Sequence, residues 1–438
     1  MNPTTTSQPT FNKPGFDAFL AARTEPAWVT QQRRTAWAMY QEKPWPSRSD
    51  EEWIRTDIRL FKLESYQLPI EAIEAPAEFS SLLAEGVELG GYSRTFNGRN
   101  VGWQLSEKWQ KKGVIFGSLD EALNTHGEKL RPHLFAHGFK AGYDKLSALH
   151  TACWTGGHVL YVPRGVVVDE PLHVLSSLGN NDVDLGHILI VLEEGAEATL
   201  MSETSSQHET DGGMHLGGVE ILLQPRSNLR FVSLQDWGKN AWHFAHQKIN
   251  VDADASLQWT VAALGGKLSK VNQTVELIGP RANCQVNGVM FTEGKQHVAY
   301  HTLQHHAAPQ CNSDFLYKAA LQDKSRTVWR GMIKVDQGAQ KTDGYQRNDN
   351  LLLSANCRAD SIPGLEILAD DVRCTHGSTT GKVDEELIFY AQCRGLTRKE
   401  AVRLIVTGFF QQVFDRITIE SVREALSQAL AKRVRETA

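Results

Sequence analysis

The chain lacks most of the features that would place it in a familiar functional class at once. Its six cysteines, at 153, 284, 311, 357, 374 and 393, form no CxxC pair and spread over most of the chain. Neither a disulfide framework nor a closed zinc site is expected from such spacing. The thiols are expected to be reduced and mostly buried. There is no excess of basic charge, with 46 Lys and Arg against 51 Asp and Glu and a net charge of −5. A dedicated nucleic-acid binder is therefore not expected. No run approaches the ~20 apolar residues of a membrane-spanning helix. The opening MNPTTTSQPTFNKPGF has no continuous apolar stretch, so an export signal is not expected and a cytoplasmic location is. A nucleotide-binding P-loop is absent too. The Gly-Lys pairs that begin at Gly238, Gly266, Gly294 and Gly381 are followed by Asn, Leu, Gln and Val, where Ser or Thr is required.

What is present is ample apolar material, 41% of 438 residues, arranged in three textures. The first ~20 residues read as a polar arm. FDAFLAAR and WVTQQRRTAWAMYQEK then read as two helices, with Trp28, Ala36, Trp37 and Tyr40 at roughly helical spacing. Pro44 and Pro46 end the second, and Ser49 or Asp50 is placed to cap a short third. Residues 60–146 are mixed, with SLLAEG and SLDEALNTHGEKL as short helices and GVIFGS as a strand.

Near residue 150 short apolar runs take over, among them HVLYVP, HILIVL, GVEILL, LRFVSL and VELIG. Each is of strand length and is bounded by turn residues. Similar corners begin at Gly195, Arg226, Asp254 and Arg281, at spacings of 31, 28 and 27. A period in that range marks a repeat architecture. Stacked rungs of a β-helix fit best, and a jelly roll or sandwich is the competing arrangement. Near 385 helical patterns return. Thr397 and Glu400 form a capping box, and Val402, Ile405, Val406, Phe409, Phe410, Val413 and Phe414 make a broad apolar stripe. The expected division is a helical and mixed domain over 1–146, a β-helix core over 147–384 and a helical domain over 385–438.

Candidate chemistry is sparse. His243 and His246, and His301, His305 and His306, are the densest histidine groups. Strand residues three apart face opposite ways, so packing is expected there rather than metal ligation. Asp370 and Asp371 are adjacent and would diverge on a strand, whereas glycosidic chemistry needs opposed carboxylates. In IPGLEILADDVRCTHGSTTG an extended backbone puts Val372, Cys374 and His376 on one face and Arg373 and Thr375 on the other. A thiol and an imidazole so placed make half of an iron or sulfur site. Spacing alone equally allows a core cysteine beside an incidental histidine.

The sequence resembles the SufB/SufD family of the SUF iron–sulfur cluster assembly machinery, and within it the SufD branch. The likeness runs from about 140 to 415. It is densest in KTDGYQRNDNLLLS, IPGLEILADDVRCTHGSTTG and EELIFYAQCRG, and PWPSRSDEEWIRTDI adds to it. SufB proteins carry V-E-H-E-A-T where this chain has Val372 to Gly377 as VRCTHG. The resemblance implies a mainly β fold, a right-handed parallel β-helix between helical terminal domains. It implies a non-enzymatic scaffold that works with SufB and the SufC ATPase, supplied indirectly by a cysteine desulfurase system. No cofactor held by the isolated chain is implied, only a transient iron–sulfur cluster in the complex. By the same resemblance His376 faces a SufB cysteine where a nascent cluster forms, and Cys374 beside it is either a second contributor or a buried structural thiol. Cys357 lines up with the cluster-site cysteine of SufB, where SufD proteins more usually have a small residue, so a SufB-like chain that itself carries the cluster is the alternative. A β-helix carbohydrate-active enzyme is a more distant one. The helix bearing Ile405, Phe409, Phe410, Val413 and Phe414 is implied to dock SufC, and its removal with the rest of 398–438 is expected to leave the β-body folded. A homodimer of the isolated chain is also expected, through exposed strand edges. No nucleic-acid or membrane partner is.

Overall fold

The computed structural model describes residues 10–71, 74–76, 81–136 and 139–434. From Gly156 to Lys382 the chain winds strands alternately into two facing sheets. Sheet one takes Leu172–Leu178, Glu197–Ser206, Asn228–Asp236, Ser256–Ala263, Asn283–Thr292, Asn312–Leu321, Asp343–Leu352 and Arg373–Lys382. Sheet two takes Gly156–Val162, Gly186–Leu192, Gly212–Leu223, Asn240–Val251, Leu268–Leu277, His297–His306, Arg326–Val335 and Arg358–Ile367. Each strand pairs in parallel with its counterpart one turn earlier. The result is a parallel β-solenoid of about eight turns, which excludes the antiparallel jelly roll and sandwich.

Parallel in-register pairing puts like positions of successive turns on top of one another. Side chains of alternate residues therefore form columns inside the solenoid, where Leu200, Phe231, Trp259, Val286 and Phe315 follow one another in register. The corners are a column as well. Gly165, Gly195, Arg226, Asp254, Arg281, Gln310 and Lys341 all have φ between 57° and 68°. Each donates its backbone N–H to the carbonyl at the corner of the next turn, from Glu194 through Pro225, Ala253, Pro280, Pro309 and Gln340 to Asp371. This ladder holds five non-glycine residues in a left-handed conformation that costs roughly 1–2 kcal/mol each. Gln310→Gly is therefore expected to be neutral or stabilising in thermal melts. Gln310→Val, β-branched at a positive φ, is expected to cost about 1–2 kcal/mol.

The two ends of the solenoid differ. At the early end Arg99–Leu105 adds antiparallel to Gly91–Phe96 on sheet one, and Ile115–Ser118 adds antiparallel to Gly156–Val162 on sheet two. The late end carries no such cover among the described residues. Helices lie along the outer faces instead. Lys13–Ala21 and Ala27–Glu42 pack with Lys145–Cys153 against sheet two, through Phe16, Phe19, Trp37, Leu216, Trp242 and Phe244. Arg33, fully buried, ties them down: it pairs with Glu25 at 3.0 Å, donates to the carbonyls of Ala152 and Trp154, and stacks 4.2 Å over the Trp154 ring. Arg398–Phe414 and Glu420–Arg433 pack on the outer face of sheet one.

Local differences from the sequence expectation have local causes. The polar arm is shorter than ~20 residues, because Asn12 caps Lys13–Ala21 by accepting from the Gly15 amide at 2.9 Å; residues 1–9 lie outside the described ones. Asp50 starts no helix. Its carboxylate folds back onto the Ser47 amide at 2.7 Å, and turns follow. SLLAEG is not helical either, since the Glu203 carboxylate takes the amides of Leu82 and Leu83.

Candidate functional site

Toward the late end the interior columns change character. The apolar column that runs through Trp259, Val286 and Phe315 continues in register to Gln346 and then His376. A neighbouring one runs from Val261 through Gly288 and Tyr317 to Asn348 and Ser378. A solenoid that ended in water by itself would be expected to close with a capping element. Here the last turn is open. Of the twenty residues in Arg358–Ile367 and Arg373–Lys382 none is buried, and each strand has a bonded neighbour on one side only. Leu365 and Ile367 in the first of these strands, and Leu368 just after it, stand exposed. Two ten-residue edges of unpaired N–H and C=O groups, with apolar side chains between, are a template for strands of another chain.

His376 lies on this last turn, exposed, on the strand face that looks into the solenoid. Cys374 is on the same face two residues earlier, as period two requires, and is half-buried. Its Sγ rests against Gly344, and it packs with Val372, Ile333 and Val335. Burial pushes its thiol up from the ordinary range. Cys357 is elsewhere, buried in the main core. Its thiol donates to the carbonyls of Ser354 at 3.0 Å and Leu321 at 3.5 Å. The structure thus sets His376 and Cys374 side by side and keeps Cys357 apart in a packed corner. Cys153, Cys284 and Cys311 are also buried, and Cys393 is exposed.

The other histidines divide by face as expected. His243 points inward and accepts from the Trp237 indole at 3.2 Å, while His246 points outward to Asp144 at 3.3 Å. His306 is inside, bonded to Ser313, and His305 is outside. Among the described residues no group of three or more His, Cys, Asp or Glu is placed to hold a metal. Asp371 serves the corner ladder through its backbone carbonyl.

His305 does carry a measurable consequence. It lies between Glu276, which raises its pKa most, and Asp336, whose Oδ2 is 3.0 Å away; Glu276 is itself held down to about 2. A histidine raised in the folded state contributes stability that is complete below its unfolded pKa and is lost as pH rises through the folded one. The melting-temperature gap between the protein and His305→Gln is expected to be larger near pH ~6 than near pH ~8.5. An equal gap at both would contradict the ion-pair role.

The tail helix is less available than its stripe suggested. Phe410, Val413 and Phe414 are buried against sheet one with Val232, Val289, Phe291 and Leu316, and Ile405 and Phe409 are half-buried on the same side. None of the first three can face a partner. Removal of 398–438 would also bare the outer face of sheet one, so the β-body is not expected to remain soluble without its tail. Polar pins add to the attachment: Lys318 donates to the Phe409 carbonyl at 2.9 Å, and Arg433 reaches Asp236 at 2.7 Å. The exposed apolar groups are instead Leu404 and, on Glu385–Cys393, Leu387, Phe389 and Tyr390, with Phe389 69% exposed. Spacing could not single out this short helix, because only Ile388 of it is buried.

Residues 174–409 match the family model for the SUF system FeS cluster assembly SufBD core domain, and residues 18–174 match the SufBD protein N-terminal region. The chain belongs to the SufB/SufD family. An iron-sulfur cluster assembly SufBD family protein of Mycobacterium tuberculosis is 31% identical over 356 residues, covering 76% of this chain and 88% of the relative. One of Staphylococcus haemolyticus is 25% identical over 406 residues, covering 90% and 87%. The SufBD core match spans the open last turn and most of Arg398–Phe414, and the N-terminal match spans Ala27–Glu42, Lys145–Cys153 and the end of Lys13–Ala21. No helix among the described residues is long and apolar enough to cross a membrane.

Proposed function

We propose that this member of the SufB/SufD family is a non-catalytic scaffold subunit of the SufD kind. It pairs through its open last turn with SufB and contributes His376 to a nascent iron–sulfur cluster between the two chains. The observation that carries the reading is the uncovered last turn with His376 exposed on its inward face. One imidazole and one half-buried thiol are too few to cage a cluster, which four ligands normally hold. A partner that completes the edges would bring the rest, and separation of the chains would release the cargo. The cluster is thus cargo of the complex and not a cofactor of the isolated chain. Without SufB the same edges favour a second copy of this chain. The exposed Leu387, Phe389, Tyr390 and Leu404 are suited to dock the SufC ATPase, a division of labour that fits the missing P-loop. On this reading the protein works in the cytoplasm, downstream of a cysteine desulfurase.

The burial of Cys357 supports the SufD-like reading over a SufB-like chain that carries the cluster itself. Co-expression with SufB and SufC homologues, followed by sizing and assay of iron and acid-labile sulfide, tests it. A three-protein complex that holds iron and sulfide is expected, and anaerobic reconstitution of the isolated chain is expected to leave no stable charge-transfer absorbance. A stable cluster on the isolated chain, lost in Cys357→Ala, would overturn the assignment.

A further inference from the structure

We propose that the segment from Ser47 to Phe61 is a strap that closes over the buried amine of Lys270 and lifts when that amine takes up a proton. Lys270 is on the outer face of sheet two and is 2% exposed. Its Nζ donates to Asn272 Oδ1 at 2.7 Å and lies 5.5 Å over the ring of Trp53, which belongs to the strap. No carboxylate is within ion-pair distance of it among the described residues, an unusual state for a buried lysine. The groups around it are mixed. Glu52 of the strap and Asp144 of the adjoining loop favour its charge, and Arg330 of the sheet opposes it. Its neighbours on the sheet face include His301, whose buried Nδ1 has no hydrogen-bond partner among the described residues, and His297, whose Nε2 is 3.3 Å from the Thr56 hydroxyl. Arg55 of the strap adds a further positive charge near His301.

The strap is joined to the rest of the protein by side chains, with Trp53, Thr56 and Phe61 buried beneath it. Its backbone hydrogen bonds are local, from Asp50 to Ser47, from Trp53 and Ile54 to Asp50, from Thr56 to Trp53, and from Phe61 to Ile58. Among the described residues only side chains attach it to the rest: Glu51 pairs with Arg330 at 2.6 Å, Glu52 accepts from the Tyr143 hydroxyl at 2.5 Å, Thr56 bonds His297, and the rings of Trp53 and Phe61 lie against Phe244. With the strap closed, burial pushes Lys270 down to about 7. With it lifted, water returns the amine to its ordinary value of ~10.4. Between those limits each unit fall in pH favours the open form about tenfold, and the dependence on Lys270 flattens below the lower one. His297, held down to about 4, adds to opening only below its ordinary value of ~6.5.

Hydrogen exchange of peptides covering 47–61, corrected for the intrinsic pH dependence of exchange, tests the proposal on the full chain. Protection is expected to fall about tenfold per unit between pH ~9 and pH ~7. Lys270→Met should keep the strap closed and abolish that slope. Lys270→Arg, charged throughout, should hold it open at both values, and it keeps the test decisive if the Met variant does not fold. Equal protection at both pH values in the unmodified protein, or an unchanged slope in either variant, would overturn the proposal.

Discussion

His376→Ala, in a complex with SufB and SufC homologues, is expected to leave folding and assembly near normal and to cut bound iron and acid-labile sulfide by about tenfold or more. Residues that merely orient a metal ligand typically cost about 10–100-fold in metal affinity, and loss of a ligand should cost no less. The structure explains why little else should change. His376 is exposed on a strand of which no residue is buried, so the substitution opens no cavity in the isolated chain. Cys374→Ala removes a half-buried thiol packed on Gly344, Ile333 and Val335 and is expected to lower the melting temperature modestly. Any loss of cluster there should follow the loss of stability. Full cluster content in His376→Ala would remove the histidine from the site.

The C-terminal helices give the second large effect, and it separates stability from docking. Phe410→Ala is expected to destabilise the protein by about 3–5 kcal/mol, because this fully buried ring packs between the helix and sheet one, beside Phe409 and Phe414. Phe389→Asp is expected to change stability by less than ~0.5 kcal/mol, since the side chain is exposed. In a binding assay with SufC the order should reverse. Phe389→Asp, alone or with Leu404→Asp, should abolish association, whereas whatever Phe410→Ala folds should still bind. Undiminished SufC affinity in the Phe389→Asp, Leu404→Asp double variant would place the ATPase elsewhere.

Much of the solenoid is legible in the residues, because its physics is one-dimensional. A period of two assigns faces, so Cys374 with His376, and His243 against His246, could be sorted by counting. Corner spacing reveals the turns at Gly195, Arg226, Asp254 and Arg281. It does not reveal their left-handed backbone, which at Arg226 and Arg281, as at the later corners Gln310 and Lys341, is imposed by the hydrogen-bond ladder and not by the residue's own preference. The hairpin of Gly91–Phe96 and Arg99–Leu105 does carry a signal, Asn97-Gly98 at positive φ, that a mixed reading of 60–146 leaves unresolved. The tail stripe shows that Arg398–Phe414 is amphipathic. Which side it buries depends on the outer residues of sheet one, which are distant in sequence, and so Phe410, expected at the SufC surface, lies against the sheet while Leu404 is exposed. The candidate site is legible only through the resemblance. No spacing says that the strand bearing His376 is the last one and has no cover, since that is a property of the stack as a whole.

The most direct test of ligation across the open turn is pulsed EPR on the reduced cluster of the complex, with 15N-histidine in this chain alone. A 15N hyperfine coupling is expected in the intact complex and should vanish in His376→Ala. A complex with full cluster content and no nitrogen coupling from this chain would contradict the central claim.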